Sequence, residues 1–75
     1  MNAPAEAIRE QLMANDPEYK RLSEEHARYA AQLDQLTSKH YLNEQEQIEE
    51  IRLKKLKLRV KDQMEKLVQQ SRPDN

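Results

Sequence analysis

Cysteine is absent from the 75-residue sequence, so the chain can form neither a disulfide bond nor a thiolate metal site. Glycine is absent as well, which excludes glycine-rich phosphate-binding loops, nucleophile elbows and the commonest C-terminal cap of a helix. Phenylalanine and tryptophan are also missing, and no apolar run approaches the ~20 residues that a membrane-spanning helix needs. A core built from this sequence therefore consists of Leu, Ile, Val, Met and Tyr side chains.

The charges of the chain are balanced. Only 36% of the residues are hydrophobic, and another 36% are charged, with a net charge of −1. Ordinary globular domains are about 45–50% apolar, so the core must be thin. The balance gives no overall attraction to nucleic acid or to an anionic membrane. The first residues, M-N-A-P-A-E-A-I, lack the basic and apolar regions of a signal peptide, and we expect a cytoplasmic, helical protein.

Two breaks divide the chain into three helical segments. Asn15-Asp16-Pro17 marks the first, because proline disfavours a helical conformation for the preceding residue and suits the first position of a new helix. Near the second break, Asn43 and Glu46 have the spacing of a helix capping pair. The sequence predicts an all-α fold in which an antiparallel, coiled-coil-like two-helix hairpin follows a short N-terminal helix. The predicted segments are a short helix over 1–15, a hairpin over 16–70 with helices over about 16–38 and 43–70, and a polar tail over 71–75.

Each helix of the predicted hairpin carries a stripe of apolar residues that would pack against the other helix. In the first helix the stripe repeats with alternating spacings of three and four, the heptad pattern of knobs-into-holes packing. In the second helix, a step of about 100° per residue brings five apolar side chains to one side. The predicted seam residues are Tyr19, Leu22, His26, Tyr29, Leu33, Leu36, Leu53, Leu56, Val60, Met64 and Leu67.

Part of the second helix, L-K-L-R-V-K from Leu56 to Lys61, alternates apolar and basic residues as a half-buried strand does. Three observations favour a helix instead. The flanking segments are helical in composition, Val60 is the only β-branched residue of the stretch, and no other segment could pair with a lone strand.

Three further apolar residues of the second helix, Ile48, Ile51 and Leu58, fall on the side opposite its seam. One partner helix cannot cover both sides, so we predict that these residues form an association face and that the protein is a homo-oligomer, with a dimer favoured. The alternative is that the N-terminal helix folds back over this face, which would permit a monomer.

The second helix also carries a candidate basic surface, and a nucleic-acid site would require these cations on one stripe. Turning by about 100° per residue scatters them around the helix, and acidic neighbours such as Glu50, four residues before Lys54, offset them. We therefore favour a solvated face and regard nucleic-acid binding as the weaker alternative. The basic residues are Lys54, Lys55, Lys57, Arg59 and Lys61.

Catalytic and metal-binding patterns are lacking. His26 and His40 would lie roughly 21 Å apart on one helix, at about 1.5 Å per residue, and cannot share an ion within one chain. We predict no catalytic residue, cofactor, metal or small-molecule substrate, and therefore no enzyme. If His26 packs in the seam in its neutral form, its pKa is lowered and stability falls as the pH drops through about 6.5.

Three pieces of sequence occur together: E-E-H at Glu24-Glu25-His26, H-Y-L-N-E-Q-E-Q at 40–47 and L-K-K-L-K-L-R-V-K-D at 53–62. Together they resemble the YdcH-like family of small bacterial proteins, a domain of unknown function. The resemblance covers about residues 16–69, and Val60 stands where the family pattern usually has Leu. It implies a bacterial cytoplasmic helical hairpin able to oligomerise, and it implies no activity.

These observations predict a self-associating protein–protein interaction module, which could also dock onto another protein. The alternative is a nucleic-acid-associated regulator that uses the basic second helix.

Overall fold

A computed structural model of the chain describes residues 4–71. Over this range it contains three α-helices and no strand: α1 at Ala5–Asn15, α2 at Pro17–Thr37 and α3 at Glu44–Gln70. The predicted all-α class is therefore confirmed, and the alternating stretch from Leu56 to Lys61 lies within α3. Residues 1–3 of the predicted N-terminal helix and residues 72–75 of the predicted tail lie outside the described residues.

Asp16 separates α1 from α2. Its backbone is extended, with φ −110° and ψ 108°, as expected for a residue that precedes proline. Its side-chain carboxylate accepts hydrogen bonds from the backbone N–H groups of Glu18 at 2.9 Å and Tyr19 at 3.2 Å. Pro17 occupies the first turn, where its missing N–H leaves no hydrogen bond unmade. Helix α2 begins and ends one residue inside the predicted 16–38, and α3 begins one residue inside the predicted 43–70, because the predicted limits included the cap residues Asp16, Ser38 and Asn43.

The segment between α2 and α3 ends in a capping box. The Asn43 side chain accepts a hydrogen bond from the Glu46 backbone N–H at 2.7 Å, and the Glu46 carboxylate accepts one from the Asn43 backbone N–H at 3.0 Å. Lys39 forms an ion pair with the same carboxylate across the connection. The hydrogen bond from Lys39, reinforced by that from Asn43, lowers the pKa of Glu46.

The core has two parts. Between α2 and α3, which form the most extensive helix contact, the buried side chains are those of Leu22, Leu33, Leu53 and Val60. At the other end, α1 contacts both longer helices. There Ile8 and Leu12 of α1 form a buried cluster with Tyr19 of α2 and Val68 of α3. Met64 and Leu67 pack against this cluster.

Helix α1 packs its apolar side against the start of α2 and the end of α3. An ion pair of 2.9 Å between Arg9 Nη2 and Glu65 Oε1 joins α1 to the C-terminal part of α3. Helix α1 therefore lies beside the start of α2 and the end of α3, and Ile48, Ile51 and Leu58 stay exposed. The alternative in which α1 covers these three residues does not occur in the described structure.

Candidate association face

The predicted seam residues separate into two groups by burial. Five of the eleven are buried and six are half-buried, as expected for a narrow interface between two helices. The buried residues are Tyr19, Leu22, Leu33, Leu53 and Val60. The half-buried residues are His26, Tyr29, Leu36, Leu56, Met64 and Leu67.

The three residues of the association face, Ile48, Ile51 and Leu58, remain 63%, 54% and 59% exposed. Leu53 and Val60, which contact α2, are only 2% and 5% exposed. Because residues advance about 100° around a helix, Ile48 and Ile51 lie on the side of α3 away from α2. Leu58 lies at the edge of that side, where it also borders a groove with Leu33 and Asp34 of α2. The structure thus leaves three aliphatic side chains of one helix side in water.

Tyr41 is a further exposed apolar residue that the sequence analysis did not assign to this face. It lies in the connection before α3 and is 83% exposed. Its position outside the helix removes it from any helical periodicity, so only the exposure in the folded structure identifies it. Met13 in α1, 41% exposed, lies near the other end of the molecule.

The basic residues of α3 divide between two sides. Lys54, Lys57 and Lys61 line one groove together with Asp34 and Leu58, among others. Lys54 also pairs with Glu50, with 3.8 Å between Nζ and Oε2, as the four-residue spacing predicted. Lys55 and Arg59 are exposed, and neither lines this groove.

Arg52 is held against its own helix. Its guanidinium donates two hydrogen bonds to Glu49, at 2.9 and 2.7 Å. These bonds lower the pKa of Glu49 and raise that of Arg52. This cation is thus already matched by a carboxylate within α3.

His26 is half-buried in α2, and two lysines of α3 influence it. Its pKa is lowered first by burial and then by the positive charges of Lys57 and Lys61. All three effects disfavour the imidazolium form in the folded chain. Protonation of His26 is therefore expected to destabilise the folded chain.

Lowering the pH from 8 to 5.5 is expected to reduce the melting temperature of the wild type more than that of a His26→Gln variant. The unfolded chain titrates His26 near about 6.5, whereas the folded chain does so at lower pH. The unfolded state therefore binds more protons below about pH 6.5, and stability that is full above this pH decreases as the pH falls.

The carboxylates with shifted pKa values do not titrate between pH 8 and 5.5. The lowered pKa values of Glu46 and Glu49 lie below the ordinary 4.5, so these groups reduce stability only in more acidic solution. Thermal melts followed by circular dichroism at both pH values measure the difference. An equal pH dependence in the His26→Gln variant would show that His26 is not responsible.

Neither a metal cluster nor a membrane span occurs in the part of the chain that the structure describes. No group of three or more His, Asp or Glu residues there is arranged to hold a metal ion. None of the three helices combines the length and the apolar character required to cross a bilayer.

Over the described residues the protein is a small helical chain in which one apolar side of the longest helix, α3, is exposed. Residues 20–68 match the model of the family described as "Protein of unknown function (DUF465)", and the chain belongs to that family. The match confirms the resemblance to a YdcH-like family of unknown function, and it covers most of α2 and α3 but not α1. No curated protein and no solved structure matches the chain.

Proposed function

We propose that the chain is an antiparallel, coiled-coil-like helical hairpin that acts in the bacterial cytoplasm as a self-associating interaction module and not as an enzyme. The observation that carries the proposal is the exposure of Ile48, Ile51 and Leu58, each more than half accessible to water on one side of α3. The cytoplasmic location rests on what the family resemblance implies.

The residues that line the clefts support the hairpin. Leu36, near the end of α2, and Leu53, in the first half of α3, line one cleft. Glu18, at the start of α2, and Leu67, near the end of α3, line another. This order is that of two helices running in opposite directions.

The energy of burial supports self-association. Full burial of a Leu or Ile side chain contributes about 1.5–3 kcal/mol, so covering three half-exposed ones stabilises an interface appreciably. A two-helix hairpin also encloses little core of its own, and small folds are commonly stabilised by oligomerisation. A second copy of the same face supplies the apolar surface that this one requires.

The melting temperature is expected to rise with protein concentration, because a complex formed only by folded chains stabilises them by mass action. Thermal melts over a concentration series from low micromolar to millimolar measure the effect. A melting temperature that is constant over the whole series would contradict self-association.

The second candidate is a nucleic-acid-associated regulator, and the lysine groove favours it. Lys54, Lys57 and Lys61 face the same groove, although Asp34 and the Glu50 partner of Lys54 reduce its positive potential. Labelled duplex and single-stranded nucleic acid distinguish the candidates. Binding at low salt that weakens steeply with added salt would support the regulator, and no binding at low salt would exclude it.

A further inference from the structure

The exposed side of α3 carries a second heptad seam. Its members follow one another at alternating spacings of four and three, as do the core positions of a coiled coil. All of them are exposed, and they lie away from the Leu53 and Val60 side that contacts α2. The members are Glu44, Ile48, Ile51, Lys55, Leu58 and Asp62.

The charged members of this second seam specify what can pack on it. Among the ion pairs of residues 4–71, none involves Glu44 or Lys55. A helix that packs on this side is therefore favoured by a cation opposite Glu44, an anion opposite Lys55 and apolar side chains between them. A second copy of α3 in antiparallel orientation carries these groups in that order.

We propose, on the basis of the self-association proposed above, that two copies pack α3 against α3 in one antiparallel register. In this register Ile48 faces Ile51 of the second copy, and Glu44 faces Lys55 of the second copy. The twofold symmetry repeats both contacts, which gives two apolar layers enclosed by two Glu–Lys pairs. The two α2 helices then lie on the outside, because each packs on the opposite side of its own α3.

The flanking positions fit the same register. Gln45 comes beside Arg52 of the second copy, and Gln47 comes beside Lys54, so no like charges meet. Leu58 lies one turn beyond Lys55, next to the connection that precedes α3 in the second copy. The helical overlap extends over residues 44–55 of each copy and, at about 1.5 Å per residue, is roughly 18 Å long.

Other arrangements of the same two helices place like charges together. A parallel pair puts Lys55 against Lys55 and Glu44 against Glu44. An antiparallel pair shifted by one heptad puts Glu44 against Asp62, with Arg52 beside Arg52. Like charges in direct contact destabilise a helix pair, so the charge pattern selects the proposed register.

Charge reversal at the two polar seam positions tests the register. Glu44→Lys and Lys55→Glu each convert two Glu–Lys contacts of the dimer into two like-charge contacts. Each is expected to weaken dimerisation about tenfold at low salt, from the size of exposed ion pairs. The double variant Glu44→Lys/Lys55→Glu restores opposite charges and is expected to recover the wild-type dissociation constant, measured by sedimentation equilibrium.

Glu18→Lys and Lys20→Glu are the matched controls. They make the same charge changes in α2. Glu18, like Glu44, lies in the first turn of its helix, so both Glu→Lys substitutions remove a similar favourable interaction with the positive end of a helix dipole. We expect both controls to dimerise like the wild type. A comparable loss in the controls would attribute the effect to net charge and overturn the register.

The remaining outcomes separate the register from the proposed function. Single variants that dimerise as tightly as the wild type would show that Glu44 and Lys55 do not face each other across the dimer, as in a parallel pair. A Glu44→Lys variant that dimerises more tightly would indicate the antiparallel pair shifted by one heptad. Either result overturns the register while self-association stands, whereas a wild type that remains monomeric at millimolar concentration overturns both.

Discussion

A Leu53→Ala variant is expected to lose most of its folded population at 25 °C. Leu53 is 2% exposed and lies in the contact between α2 and α3. Replacing a buried Leu by Ala costs about 2–5 kcal/mol, since apolar contacts are lost and a cavity remains. A single core of this size rarely supplies more than about 3–5 kcal/mol of net stability. Urea denaturation followed by circular dichroism measures the change in the free energy of unfolding.

Leu58→Ala is the matched control for that experiment. It makes the same substitution in the same helix, at a side chain that is 59% exposed. At concentrations below the association range, we expect the free energy of unfolding to change by less than about 0.5 kcal/mol. Equal losses from the two substitutions would show that α3 does not present Leu53 to α2 and Leu58 to water.

An Ile51→Lys variant is expected to dimerise about 100-fold more weakly than the wild type while keeping its helical content. Ile51 is 54% exposed in the single chain, so a lysine there disturbs little of the fold. In a symmetric dimer the substitution occurs twice, and each copy loses part of the 1.5–3 kcal/mol that full burial of an Ile contributes. A total of about 2.8 kcal/mol corresponds to the stated factor.

Met13→Lys is the control for Ile51→Lys. Met13 is also an exposed apolar residue, at 41%, but it lies in α1 and outside the association face. Sedimentation equilibrium is expected to give the wild-type dissociation constant for Met13→Lys. A loss as large as that of Ile51→Lys would mean that any exposed apolar residue promotes association, and the face would have no special role.

The helical class of the fold could be predicted because its signals are local. Asp16 followed by Pro17 marks the start of α2, and the Asn43 and Glu46 pair marks the start of α3. These residues satisfy the first backbone N–H groups of their own helices, so a few neighbouring residues carry all the necessary information.

The packing of α1 could not be predicted from local signals. Ile8 and Leu12 lie four residues apart on one side of a helix, which indicates an apolar side but not its partner. In the structure they meet Tyr19 and Val68, and Val68 is distant in the sequence. Only the geometry of all three helices decides between this arrangement and one in which α1 covers the association face.

Part of the arrangement of the basic residues could have been predicted. Spacings of three and four place Lys54, Lys57 and Lys61 on one side of a helix and leave Lys55 and Arg59 on another, whereas the acidic neighbour from α2 depends on the fold. In the structure α2 adds Asp34 to one side of α3, and Lys54, Lys57 and Lys61 then share a groove. Lys55 lies outside this groove, beside Ile51 and Leu58 on the exposed side of α3.

Sedimentation equilibrium of the wild-type protein tests the central claim most directly, since the claim is that the exposed side of α3 binds a second copy. Between low micromolar and millimolar concentration, the weight-average mass is predicted to rise from the 9.0 kDa of one chain toward twice that value. A mass that stays at 9.0 kDa throughout, with Ile48, Ile51 and Leu58 exposed to water, would contradict the account.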